Sequence, residues 1–220
     1  MKYGIFFDLD GTLIDSSSDL TTATNLTRKS YNLPEYTVAQ AMACVGDGVK
    51  NLCRKCLPEL PENELPAAVI RFGEFYQANQ IKATCLYPYA AQMLKNLHDN
   101  GYFIALVTNK PQGNSEQILK HLGVFKYFNG ILGGGVTPAL KPEPAGILKL
   151  LHEFKLEPEN CAMVGDHYTD MAAGRQAGTV RIWAKWGFGD LRGEGYDYAA
   201  ENISALDTLI RSTLFPADKL

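Results

Sequence analysis

The stretch Tyr3-Gly4-Ile5-Phe6-Phe7-Asp8-Leu9-Asp10-Gly11-Thr12 decides the fold. Residues 3 to 9 are an aromatic and β-branched run of strand length, and Asp10-Gly11 is a turn signal that ends it. The run reads as a buried first strand. Asp-Gly is a common turn and a strand-terminal Asp a common cap, yet two carboxylates on a buried strand are costly without partners. Asp8 and Asp10 therefore read as part of a site.

Downstream of this strand the texture changes. Ser16-Ser17-Ser18-Asp19 offers N-cap chemistry, and Leu20, Ala23, Leu26 and Tyr31 then recur at helical intervals until Leu33-Pro34. Val38, Ala41, Met42 and Val45 make a second apolar face, Val49, Leu52, Cys53 and Cys56 a third, and Leu65, Val69, Phe72, Phe75 and Tyr76 a fourth. Beyond Pro88 helix and strand alternate. A helix through Ala90 and Leu97 closes at Asn100-Gly101, and a strand covers 102–108. A helix from Pro111 to Gly123 leads to a short strand at 130–132 before Gly133-Gly134-Gly135. A helix from Pro142, a strand at 161–166, a helix to Gly178, a strand at 179–184 and a helix over 203–214 complete the chain.

Strands separated by helices need crossover connections, so the class is α/β with a mostly parallel sheet and helices on both faces. Residues 1–15 and 82–220 are expected to form this core, and residues 16–81 a helical lobe inserted after the first strand. Two lobes imply a cleft.

At 220 residues the chain can bury a substantial core, and 46% hydrophobic with 20% charged residues is ordinary for a folded globular protein. A formal net charge of −3 and a pI near 5.8 provide no broad basic field, which argues against nucleic acid and anionic membrane as partners. No signal peptide or membrane span is legible. Cys44, Cys53, Cys56, Cys85 and Cys161 form an odd set without a paired framework, as expected of reduced thiols in a cytoplasm. Cys53-Arg-Lys-Cys56 has redox or zinc spacing but no second ligand pair, and reads as ordinary helix.

Ligands of open parallel sheets bind beyond the carboxyl ends of the strands. There the chain places Asp8-Leu9-Asp10-Gly11-Thr12, then Thr108-Asn109-Lys110, then Gly165-Asp166 with Asp170 four residues on, while Lys141 opens the helix between the third and fourth strands. Such carboxylates would repel one another unless a cation sat among them, and hard oxygen ligation suits Mg²⁺. With Asp166 as a ligand and Asp170 beside the ligands, Asp8 is placed to attack phosphorus in line and form an aspartyl-phosphate. Asp10 is the candidate to protonate the leaving oxygen and later take a proton from water. The Thr108 hydroxyl, the Asn109 amide and the Lys141 ammonium are candidate donors to the phosphoryl oxygens. Gly11 allows close backbone approach to the ligand, and Thr12 braces the turn.

These residues resemble the haloacid dehalogenase superfamily, and within it the phosphoglycolate phosphatase-like group. Asp8-Leu-Asp-Gly-Thr-Leu-Ile-Asp-Ser looks like its first motif, Val107-Thr-Asn-Lys its second, Lys141-Pro-Glu-Pro its third and Val164-Gly-Asp-His-Tyr-Thr-Asp170 its fourth. The resemblance covers nearly the whole chain. It implies a Rossmann-like core with a small α-helical cap, Asp8 as nucleophile and Asp10 as acid and base. It also implies Mg²⁺ held by Asp8, the Asp10 carbonyl and Asp166. Val45-Gly46-Asp47-Gly48-Val49 is similar to the group's cap loop, as is Trp186-Gly-Phe-Gly189 to its segment after the last strand. His167 departs from the small residue usual after Gly-Asp, and reads as a structural or peripheral residue, with a polar contact in the site as the other reading. Lys50, Arg54 and Lys55 lie near the cap loop; they read as a solvated helix face, with contact to a substrate carboxylate as the other reading.

The resemblance thus implies a phosphatase that acts on a small phosphorylated metabolite, with 2-phosphoglycolate converted to glycolate and phosphate first in line; the cysteine usage makes a cytoplasmic protein the expectation, as a monomer or homodimer. Other expectations are a phosphatase for another sugar phosphate, nucleotide or pyrophosphate, or a phosphomutase. A receiver-type signalling module gathers similar residues, but leaves the helical insertion unexplained.

Overall fold

The computed structural model describes residues 2–216, so Met1 and residues 217–220 of the expected core lie outside the described residues. β1 (Gly4–Phe7) is the centre of a six-stranded sheet with β4 (Phe103–Pro111), β5 (Gly130–Gly134), β6 (Cys161–Gly165), β7 (Val180–Ala184) and β8 (Tyr198–Ala200). The order is β5-β4-β1-β6-β7-β8, and every pair is parallel. Connections run outward in one direction through β4 and β5, then return to β6 on the other side of β1. That reversal opens a crevice beyond the carboxyl ends of β4, β1 and β6.

Side-chain alternation along β1 and β4 builds both faces of the sheet. Ile5, Phe7, Ile104 and Leu106 point to one side, where they meet α5 (Ala90–Asp99), α6 (Gln112–His121) and α9 (Ile203–Thr208). Phe6, Phe103, Ala105 and Val107 point to the other, against α7 (Ala145–Phe154) and α8 (Tyr168–Ala177). Ile5, Phe6, Phe7, Ile104 and Leu106 are completely buried. Each such side chain contributes roughly 1.5–3 kcal/mol through burial.

Between β1 and β4 come α1 (Ser17–Ser30), α2 (Val38–Met42), α3 (Val49–Cys56) and α4 (Leu65–Asn79). They share a separate apolar cluster that includes Leu20, Ala41, Leu52, Leu65 and Phe72, with Cys53 and Cys56 buried in it. Buried Arg28 fastens this lobe: it donates to the Pro34 and Cys56 carbonyls, pairs with Glu59 at 3.0 Å and lies 3.7 Å over the Tyr36 ring. The lobe is tied to the core by an antiparallel pair, β2 (Ile14–Asp15) with β3 (Cys85–Leu86). Asp19 adds a second tie, accepting from the Ala83 and Thr84 N–H groups and the Thr84 hydroxyl.

Several element bounds differ from the sequence expectation. The helix after β5 begins at Ala145 rather than Pro142, because the residue before a proline is pushed out of helical geometry and Pro144 follows Pro142 closely. Lys141 therefore sits in a turn ahead of the helix. Ser16 occupies the cap position of α1, but its hydroxyl donates to Asp10 instead of capping. The last helix becomes π-helical over Leu209–Leu214. Strands β2, β3 and β8 were not expected.

Candidate active site

At the end of β1 the Asp8 N–H still bonds to the Val164 carbonyl, at 2.9 Å, before the chain turns. The Leu9 carbonyl accepts from the N–H groups of Thr12, Leu13 and Ile14, which winds residues 9–14 into a tight loop and points Asp8 and Asp10 into the crevice. Gly11 is required in this loop on two counts. Its φ is +80°, and a Cβ there would stand 2.1 Å from Asp166 Oδ2. Gly11→Ala is expected to cost about 2 kcal/mol or more, seen as a lower denaturant midpoint. An unchanged midpoint would refute this packing.

Asp8, Asp166 and Asp170 each bring a carboxylate oxygen within 4.8 Å of the others. Burial, reinforced by Asp170 and Asp8, pushes the Asp166 carboxyl well above its usual range. Asp166 nevertheless is held firmly: Oδ1 accepts from the Thr12 hydroxyl at 3.2 Å and Oδ2 from the Gly189 N–H at 2.8 Å. The Trp186-to-Gly189 segment closes over it so tightly that a Cβ on Gly187 would lie 2.3 Å from its own Cβ. Asp170 is fully engaged by protein donors, Lys141 Nζ at 2.5 Å on one oxygen and the His167 N–H at 3.0 Å on the other. Burial raises it to about 7 against the opposing Lys141 charge.

Lys141 Nζ also lies 2.9 Å from Asp8 Oδ1, an ion-pair distance without hydrogen-bond alignment. Burial alone would lower the Lys141 ammonium, but Asp170 and Asp8 outweigh it and hold it above its ordinary value. One ammonium faces three carboxylates, and Asp8 Oδ1 is buried with no hydrogen-bond donor. A buried acceptor with only an unaligned ammonium beside it, in a cluster of three carboxylates, fits a hard divalent cation. Asp8 and Asp166 have the open lone pairs, while Asp170 braces Lys141.

Asp10 lies beside this cluster. It accepts from the Ser16 hydroxyl at 2.5 Å and takes Lys110 Nζ on both oxygens at 2.9 Å. Lys110 is buried and stacks over the Tyr76 ring at 4.5 Å. Burial opposes its charge, and the Asp10 carboxylate more than offsets this, so Lys110 remains an ammonium. Lys110 ends the Thr108-Asn109-Lys110 run, and its part in the site follows from this contact and not from the sequence. Strand periodicity carries no signal for it, because the pairing of β4 with β5 is irregular between Val107 and Pro111.

Thr108 is buried at the same edge, its hydroxyl accepting from the Lys110 N–H at 3.3 Å. The Asn109 amide, expected to face a phosphate, spends both hydrogens on the Gly46 and Lys141 carbonyls and accepts from the Lys141 N–H. Its side chain instead fixes the strand end, the Lys141 turn and the cap loop to one another. His167 lines the cleft beside that loop; burial lowers its imidazole to about 4, and a Cβ on Gly46 would meet the ring at 2.5 Å. Tyr168 donates to Asp47 at 2.7 Å, and Arg192 approaches Asp47 at 3.4 Å, while Lys55 pairs with it from within the helical lobe. Arg54 pairs with Glu62. Neither Lys50, Arg54 nor Lys55 lines the cleft, which runs from Asp8, Asp10, Lys110 and Asp166 up to α3 and α4.

No helix among the described residues is long and apolar enough to cross a membrane. The chain is similar over most of its length to several proteins. A phosphoglycolate phosphatase of Vibrio vulnificus (strain CMCP6) is 33% identical over 212 residues, covering 92% of this chain and 93% of the relative. One of Aquifex aeolicus (strain VF5) is 36% identical over 206 residues, covering 94% and 95%. A crystal structure described as a predicted phosphoglycolate phosphatase from Haemophilus somnus 129PT superposes with a TM-score of 0.88 at 30% identity, covering 93% of this chain and 96% of that one. A family model for haloacid dehalogenase-like hydrolases matches residues 5–184. With three strand-end motifs and the Lys141 turn converging on one crevice and this match spanning most of its length, the chain belongs to the haloacid dehalogenase-like hydrolases.

Proposed function

We propose that this chain is a Mg²⁺-dependent phosphatase that cleaves a small phosphate monoester through an aspartyl-phosphate on Asp8, with 2-phosphoglycolate as first candidate substrate. The observation that carries the reading is Asp8 Oδ1, a buried carboxylate oxygen in the cleft with no hydrogen-bond donor. The names of the similar Vibrio and Aquifex proteins support the substrate. Asp8, Asp166 and the Asp10 carbonyl would hold Mg²⁺, which when bound neutralises charge so that one anion approaches another.

In the first step an Asp8 oxygen bonds to phosphorus as the bond to the leaving oxygen breaks, and Asp10 gives that oxygen its proton. In the second, Asp10 takes a proton from water, the water oxygen bonds to phosphorus and the bond to Asp8 breaks. Lys141 and the Thr108 hydroxyl hold phosphoryl oxygens, Lys110 and Ser16 orient Asp10, and Asp170 orients Lys141. Residues 16–81 act as a cap on the core of residues 1–15 and 82–220, excluding water from the cleft.

A panel of phosphate monoesters assayed with Mg²⁺ for free phosphate tests this reading, with 2-phosphoglycolate expected among the best substrates. Turnover only in the presence of a bisphosphorylated sugar, without free phosphate, would mean a mutase. A long-lived phosphorylated Asp8 without turnover would mean a receiver-type module.

A further inference from the structure

Among the described residues two buried side-chain polar atoms lack a hydrogen-bond partner, Asp8 Oδ1 and the Tyr76 hydroxyl. Both residues line the same cleft. The first is accounted for by the phosphoryl-transfer centre. The second lies on α4 of the helical lobe, in a residue only 4% exposed, and an unpaired buried hydroxyl costs about 1–3 kcal/mol. Lys110 does not use the phenol's proton, because an ammonium only donates: it is held by both Asp10 oxygens, lies over the ring, and any approach to the hydroxyl oxygen leaves the O–H free.

We propose that the Tyr76 hydroxyl is the donor that fixes the leaving group, and that the substrate is a compact phosphate monoester whose leaving alcohol carries an oxygen acceptor, a carboxylate above all. The position is apt, since Tyr76 touches Lys110, which touches Asp10, the group assigned to protonate the leaving oxygen. Burial raises the phenol to about 12, so at neutral pH it donates.

The rest of the cap's contribution is apolar. The other cap residues along the cleft are hydrocarbon, namely Leu20, Val45, Val49, Leu52 and Phe72, or glycine. Nearby amides offer no substitute, because Asn114 spends both hydrogens on Gln77 and Gln80, as Asn109 does on the Gly46 and Lys141 carbonyls. A carboxylate suits this place because an ionised acceptor makes the stronger hydrogen bond to the phenol, and the Lys110–Asp10 ion pair beside it presents no uncompensated negative charge. A second phosphate or a nucleobase would meet the hydrocarbon wall with its polar groups unmatched.

This inference rests on the phosphatase reading, and two probes separate them: 2-phosphoglycolate, which carries the acceptor, and ethyl phosphate, which does not. In the wild-type chain kcat/KM is expected to favour 2-phosphoglycolate. In Tyr76→Phe, which deletes only the hydroxyl, that preference is expected to fall roughly tenfold or more, mainly through KM, as for one hydrogen bond to a charged group. A merely structural role for Tyr76 would lower both substrates alike and leave the ratio unchanged, which would overturn the proposal. So would wild-type chain that prefers ethyl phosphate. Wild-type chain inert on both probes and on every other monoester would overturn the phosphatase reading and this inference together.

Discussion

Asp8→Asn is expected to lower phosphate release by roughly 10⁴-fold or more, because it removes the nucleophile's charge at nearly constant volume. The fold should survive. Asp8 lies after β1 rather than in its packed face, its backbone N–H keeps its bond to Val164, and Lys141 keeps Asp170 as partner. The amide also removes one of three carboxylates that crowd together, so the loss of an ion-pair contact to Lys141 is offset by relief of repulsion. The comparison to make is phosphate release beside thermal melting of the two proteins. A variant that melts like wild type yet loses turnover isolates the nucleophile, whereas wild-type turnover in the variant would sink the covalent mechanism.

That the variant can be designed at all reflects how much of the site is local in sequence. Asp8, Asp10 and Gly11 follow a strand whose aromatic and β-branched run is unmistakable, and Asp166 ends another fully buried strand, β6. The strand-end rule then gathers residues 100 and more positions apart without knowledge of any contact. Strands of two or three residues, β2, β3 and β8, are too short for a period to show. The delayed start of α7 follows from two prolines whose effect is on their neighbours. Partnerships were hidden for a different reason. Ser16 carries the chemistry of a helix cap and spends its hydroxyl on Asp10, and Asn109 carries a donor and spends it on the cap loop. Which acceptor a donor meets is decided by packing between lobes, as is the lack of an acceptor for the Tyr76 hydroxyl among the described residues.

Removing divalent cations is expected to abolish turnover, and restoring Mg²⁺ to recover it. The physical ground is the charge count at the crevice, where Asp8, Asp166 and Asp170 face Lys141 alone and burial drives Asp166 towards its neutral form. A cation bound there stabilises the native state over the unfolded chain, in which the same carboxylates lie far apart in water. At a concentration 100 times its dissociation constant the gain is about 2.7 kcal/mol, which for a chain of this size raises the melting temperature by roughly 5–10 °C. Melting therefore reports on the site without any substrate. Asp166→Asn should lose most of that Mg²⁺-dependent rise, since it removes a ligand charge from the middle of the cluster, while Cys85→Ser, exposed on the link between the lobes, should keep it. Full activity in chelator, or a melting temperature indifferent to Mg²⁺, would show that Lys141 alone balances the carboxylates and that the cluster serves packing instead of metal binding.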